Sequence, residues 1–147
     1  MLIKSVTLWS PWGQFMAKGL KKNETRSWYT AYRGPLAIHA AARIHRNMIP
    51  DDIYAMAIKT IGPETEWPLG KILCIVDLYE VVKTEKANPS DLERLLGNYE
   101  KGRYAWKTSM IKIFPEPIPA RGSQRIWEWD WDNSKVISLP KGQIKLF

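Results

Sequence analysis

The sequence predicts an α+β fold, a small curled sheet or barrel flanked by few short helices. Three observations predict it. Short β-branched or apolar runs such as "SVTLW", "PLAIHAA" and "KILCIVDLYEVV" recur along the chain. Between them stand only brief helical patterns with their own start and stop signals. A chain of 147 residues is also the size of one ordinary domain, able to bury about two thirds of its surface without metals or disulfides. Residues 1–147 are therefore read as a single domain.

The elements follow in order. "SVTLW", Ser5 to Trp9, reads as a first strand. Ser10 before Pro11 predicts a capped helix over "PWGQFMAKG", with Trp12, Phe15 and Met16 on one face and Gly19 ending it. The turn "LKKNE" leads into "TRSWYTAYRG", a polar segment expected to run partly extended. Pro35 to Ala41, "PLAIHAA", is a strand of small residues. Pro50, the early acids Asp51 and Asp52 and the late Lys59 predict a helix ending at Gly62.

Lys71 to Val82 is the clearest strand, apolar on both faces. It holds Cys74, the chain's one cysteine, expected to be a buried thiol with no intrachain bridge to make. Ser90 with Glu93 three residues later has capping-box spacing, so "NPSDLERLLG" reads as a short helix. "GRYAWKTSMIKIF" reads as a long strand ending near Pro115, and the prolines of "PEPIPARG" are expected to preclude regular structure. "SQRIWEWDWD" stays open between a helical turn and an extended piece, while "KVISL" and "QIKLF" are candidate closing strands.

Composition narrows the function classes. No window approaches the ~18 apolar residues of a membrane span. The N-terminus lacks the pattern of a secretory leader, so a cytoplasmic location without membrane contact is expected. Lys and Arg number 22 against 15 Asp and Glu, a net charge of +7 that favours a polyanionic partner. Eight tryptophans among 147 residues supply core volume or stacking surfaces for bases. Two histidines and one cysteine without close spacing predict no metal site. No cofactor is expected.

The polar run around Lys21, Glu24 and Arg26 admits two readings, a solvated turn or one wall of a ligand cleft. If extended, it puts Glu24 and Arg26 on one face, continued by Trp28. A glutamate can hold a guanidinium through two contacts while leaving it able to meet a ligand oxygen. Lys21 could offer charge to a phosphate or, if desolvated, act as a base. Asp77 interrupts an apolar strand, where an unpaired carboxylate costs several kcal/mol. It is expected to pair with Lys21 or Arg26, to sit at an open strand end, or to complete a Lys/Glu/Asp cluster.

His39, among small residues, is either a satisfied core histidine or a proton donor to a ligand. Trp12 and Trp28 are candidate stacking residues, Tyr104 and Trp106 either stack on a ligand or fill the core, and Trp9 is assigned to the core; Lys22 and Arg33 either extend a basic rim or are ordinary solvated cations. Trp12 also adjoins a helix start whose free N–H groups would attract phosphate.

Several pieces together resemble a known family. "TLWSPWGQFMAKGLKKNETRSWYTAYRGPLAIHAA", "ILCIVDLYEV", "NYEKGRYAWK" and "PIPARGSQRIW" occur in the order seen in the ASCH domain of the PUA-like superfamily. The resemblance implies a small β-barrel and an RNA-related role. It also implies a cleft beside the helix preceding a Gly-x-Lys-x-x-Glu-x-Arg pattern, here Gly19, Lys21, Glu24 and Arg26. Gln124 falls where related sequences carry a glutamine able to read a base edge, and Trp127 where the final loop docks. One branch is similar to amidohydrolases of N4-acetylcytidine that use a Lys, a Thr and a Glu. Lys21 matches the first, Glu24 stands where the threonine would be, and Asp77 takes the place of the glutamate. Ribonuclease activity attributed to some members offers a second chemistry.

The leading expectation is an RNA- or nucleoside-binding domain. Lys21, Glu24, Asp77 and His39 are its candidate catalytic groups. Trp12, Lys22, Arg26, Trp28, Arg33, Tyr104, Trp106 and Gln124 are its candidate ligand contacts. The alternatives are a hydrolase built on the same groups and a protein-interaction domain. The sequence does not decide whether the chain is an enzyme.

Overall fold

The computed structural model describes residues 1–132, so "KVISL" and "QIKLF" lie outside the described residues. The β-branched and alternating runs form six strands: β1 (Leu2–Leu8), β2 (Asn23–Arg26), β3 (Gly34–Ala40), β4 (Lys71–Lys83), β5 (Tyr104–Pro119) and β6 (Ile126–Asp130). Three short helices interrupt them: α1 (Trp12–Ala17), α2 (Asp51–Ile61) and α3 (Asp91–Leu95). The strands make one sheet in the order β2-β5-β4-β3-β1-β6. Only β1 and β3 run parallel, with α1 and β2 in the connection between them. The β4–β5 ladder shifts register three times, and each irregularity bends the strands. The result is a curled half-barrel flanked by short helices, the α+β class expected.

Alternation divides the strands' side chains between the two faces. Leu36 and Ile38 of β3 join Val6, Leu8, Met16, Cys74, Val76, Leu78 and Trp106 inside the curl. Ala37 points the other way, with Ile3, Ile72, Ile75, Phe114, Trp129 and Trp131. A third cluster, including Phe15, Ile53, Ala57 and Leu96, seats α1 against α2. Cys74 is buried as expected, which pushes its thiol up to about 12.

Several local expectations need correction. Ser10 does not cap α1; its hydroxyl accepts from the Gln14 amide at 2.8 Å instead. The first helical N–H groups are not free for an anion either, because Trp12 and Gly13 both donate to the Trp9 carbonyl. Ser90 does cap α3, accepting from Glu93 N at 3.2 Å. The Glu93 carboxylate, however, accepts from the backbone of Lys22 at 2.6 Å and Asn23 at 3.1 Å.

Strand β5 runs through Pro115 and Pro117 to Pro119. It can do so because β2 pairs only with Tyr104–Lys107, leaving the later residues laddered on β4 alone. A proline on such an edge forfeits no sheet bond. "SQRIWEWDWD" resolves as extended, contributing β6 against β1.

Candidate functional site

The curl brings strand β2 back toward β1, four places away in the sheet order. Arg26 spans this seam, its Nη2 donating to the Thr7 carbonyl at 2.9 Å. A cleft of about 740 Å³ opens here between the end of β1, the start of α1, β2 and the segment after α3. Its volume lies within the range of small-molecule sites.

Gly19 sets up the floor. At φ +76° it takes a conformation that side-chained residues rarely adopt, and its N–H closes α1 on Met16 O at 3.0 Å. The chain then turns under the helix and delivers Lys21, 2% exposed, to the floor of the cleft. Its ammonium donates to Leu96 O at 3.1 Å and lies 3.6 Å from Glu24 Oε1. That same Oε1 accepts from Thr25 N at 3.2 Å. Glu24 Oε2 takes both Nε and Nη2 of Arg26, each at 2.9 Å. The extended backbone thus places Glu24 and Arg26 side by side, as the alternation predicted. Glu93, through its grip on Lys22 and Asn23, locks the same turn from α3.

Both Glu24 oxygens are therefore engaged, while cationic donors remain. Arg26 Nη1 has no partner among the described residues. Arg103 also lines the cleft, donating from Nε to Asn98 O at 3.1 Å and from Nη2 to Thr25 O at 3.3 Å. Three cations, Lys21, Arg26 and Arg103, face one carboxylate among the lining residues. Trp9 and Trp12 supply an aromatic wall, and Met48 and Leu95 add apolar surface. Trp9, expected in the core, is 47% exposed and tilts against His45 with centroids 4.6 Å apart.

The remaining predicted residues are distributed elsewhere. Asp77 does not join the cluster. It follows Val76 and precedes Leu78, both inside the curl, so strand alternation turns it to the opposite face. There it pairs in register with Pro35 and Ser109 and, after burial, is the second cause raising the Tyr32 hydroxyl pKa. Trp106 is fully buried in the core, so it offers no ligand face. Trp28 packs edge-on against it at 4.9 Å, beneath the Arg125 guanidinium at 4.2 Å. Tyr104 packs on the same core and meets Tyr29 edge-on. Neither Trp28 nor Tyr104 lines the cleft. Lys22 points away as an exposed side chain, and Arg33 bonds the carbonyls of Thr30 and Tyr32 outside the cleft.

His39 lies in a second hollow of about 390 Å³. Its Nε2 sits 2.7 Å from Ala120 O. A carbonyl only accepts, so Nε2 carries the proton and Nδ1 accepts from Thr7 Oγ1 at 3.1 Å. Burial lowers the His39 pKa against the raising effect of its backbone hydrogen bonds, keeping the ring neutral. Trp127 caps the arrangement, edge-on to His39 at 5.4 Å and donating to Thr7 Oγ1 at 3.0 Å. Gln124 lines this hollow, not the main cleft.

Sequence reasoning missed Arg103 and the involvement of Thr7. Their signal is three-dimensional: Arg26 pairs with Tyr104, which brings the neighbouring Arg103 to the cleft across 77 residues of chain.

Among the described residues no group of His, Cys, Asp and Glu is arranged to hold a metal ion, and no helix is long and apolar enough to cross a membrane. The chain is similar to activating signal cointegrator 1 of Homo sapiens, 26% identical over 124 residues, and to that of Mus musculus, 24% identical over 129 residues. These alignments cover 82% and 85% of this chain but only 21% and 22% of the relatives. The chain thus spans about a fifth of the length of the curated relatives it matches. A crystal structure of a mutant ASCH protein from Zymomonas mobilis superposes with a TM-score of 0.52 at 15% identity, covering 92% of this chain and 96% of that one, a likeness of fold. The ASCH domain model matches residues 6–120, and with most of its length so matched the chain belongs to the ASCH domain family of the PUA-like superfamily.

Proposed function

We propose that the cleft binds RNA or a nucleotide unit of it, placing a base against Trp9 and Trp12 and its oxygens at Arg26, Arg103 and Lys21. One observation carries the reading: the cleft's carboxylate is spent on Lys21, Thr25 and Arg26, leaving cationic donors to be met by a ligand. A partner that complements them presents oxygen acceptors, as phosphates and base carbonyls do. Stacking on an aromatic face adds about 1–3 kcal/mol per base. Family membership and the net charge of +7 support the same class of ligand.

Binding is favoured over hydrolysis by this geometry. Lys21 donates to the Leu96 carbonyl at 3.1 Å and lies 3.6 Å from Glu24 Oε1, so its ammonium is already engaged by the protein at the cleft floor. Asp77 and His39, the other groups a hydrolase would recruit, line neither wall of this cleft.

Tryptophan fluorescence titrated with single-stranded RNA tests the proposal, because Trp9 and Trp12 line the site. Three phosphate contacts predict a log K against log salt slope of about −2, and Arg103→Ala should reduce it by about 0.7. Absence of binding at low salt, or a slope near zero, overturns the reading. Incubation with N4-acetylcytidine and RNA, followed by chromatography, provides the turnover control.

A further inference from the structure

We propose that the hollow over His39 is a second subsite, which receives the nucleotide adjacent to the one in the main cleft. This inference rests on the reading of the main cleft as an RNA site and extends it from one nucleotide to a strand.

The two hollows share a wall. Thr7 lines both, its carbonyl holding Arg26 on one side and its hydroxyl meeting His39 Nδ1 and Trp127 Nε1 on the other. A ligand crossing Thr7 therefore passes directly from one site to the next. Charge continues along the path. Among the described residues the second hollow contributes Arg121 and no acidic residue, so four cations there line the two sites against Glu24. That excess suits a phosphodiester backbone, which carries one negative charge per nucleotide.

The second hollow is also built rather than incidental. Its base is rigid, because His39 is held at both ring nitrogens and braced by Trp127. Its wall is the loop after β5, pressed so closely on that base that a Cβ at Gly122 would stand 2.7 Å from the His39 ring and from Thr7 Oγ1. Only glycine lets the backbone lie there. The loop's outward side chains are left for a ligand: those of Arg121 and Gln124 make no hydrogen bond or ion pair among the described residues. Together they offer a guanidinium for phosphate and an amide with both donor and acceptor for a base edge. Ala41, Ala42 and Ala120 leave room beside them for a planar ring.

The test compares affinities for ribonucleoside 5′-monophosphates with those for mixed-sequence dinucleotide and hexanucleotide RNA, measured by calorimetry. Filling both sites should make the dinucleotide bind at least about tenfold more tightly than any monophosphate, and the hexanucleotide at least as tightly. In Arg121→Ala and Gln124→Ala, both exposed positions, the ratio of oligonucleotide to monophosphate affinity should fall about tenfold. Equal wild-type affinity for monophosphate and dinucleotide, or a ratio untouched by both substitutions, overturns the second subsite while leaving the main cleft standing. Absence of binding by every nucleotide overturns both.

Discussion

The cluster at the cleft floor predicts that removing its two buried charges has unequal consequences. Glu24→Gln leaves the Lys21 ammonium, 2% exposed, with only the Leu96 carbonyl at 3.1 Å. It also removes the negative charge on which Arg26 Nε and Nη2 converge. Removing one partner of a buried ion pair costs about 3–5 kcal/mol, because the other charge stays desolvated and uncompensated. Lys21→Met replaces the ammonium with a side chain of similar length and leaves Glu24 bonded to Arg26 and Thr25 N. A charge that keeps its second partner incurs little of that penalty, so the cost should be about 1 kcal/mol or less. Urea unfolding followed by tryptophan fluorescence measures both. The expected difference is at least about 2 kcal/mol, or roughly 4–8 °C in melting temperature for a chain of this size. If Glu24→Gln proves no more destabilising than Lys21→Met, the assignment of Glu24 as the shared anchor is wrong.

Two further outcomes follow from groups whose titration is shifted. Burial raises the Cys74 thiol to about 12, so the folded chain binds its proton more tightly than the unfolded one. Stability from this group is complete below the unfolded value near 9 and lost as pH rises toward 12; at pH 8 a thiol reagent should label Cys74 only on unfolding, and fast labelling of the native chain contradicts this. Burial lowers the His39 pKa, so its contribution is present above the unfolded value of 6.5 and lost as pH falls through the folded pKa. The urea midpoint of wild type should therefore drop between pH 7.5 and 5 by more than that of His39→Gln, and parallel pH profiles would contradict the assignment.

Local chemistry made much of the fold readable. Lys71 to Val82 is dominated by β-branched and apolar residues, and the structure places strand β4 there almost to the residue. Glu24 and Arg26 were readable as partners because a period of two needs only an extended backbone. What resisted reading depends on non-local facts. Whether an aromatic stacks on a ligand or fills the core is decided by what covers it: Trp9 fell on the side opposite to expectation, and Trp106, open between the two, took the core. Asp77 lies beside core residues in sequence, but its face is fixed by strand parity and by which side of the sheet the curl encloses. Prolines 115 and 117 stay in a strand only because β2 ends early along β5, which no local pattern announces.

The bonds that shape the cleft are also the bonds that close the curl. Arg26 ties edge strand β2 to Thr7 on β1, and Glu24 holds Arg26 in the orientation that permits it. Thr7 in turn anchors His39 and Trp127, which seat the loop after β5 and the last described strand. Fold closure and site geometry therefore share one chain of polar contacts, an ion pair from Lys21 to Glu24 and then hydrogen bonds through Arg26 and Thr7 to His39. A substitution within that chain moves both properties together, so loss of binding there does not identify a ligand contact. Arg103, Arg121 and Gln124 lie outside it, bonded only to loop and strand carbonyls or to nothing among the described residues. These three positions are where affinity can change at constant stability, and they are the ones that separate recognition from architecture.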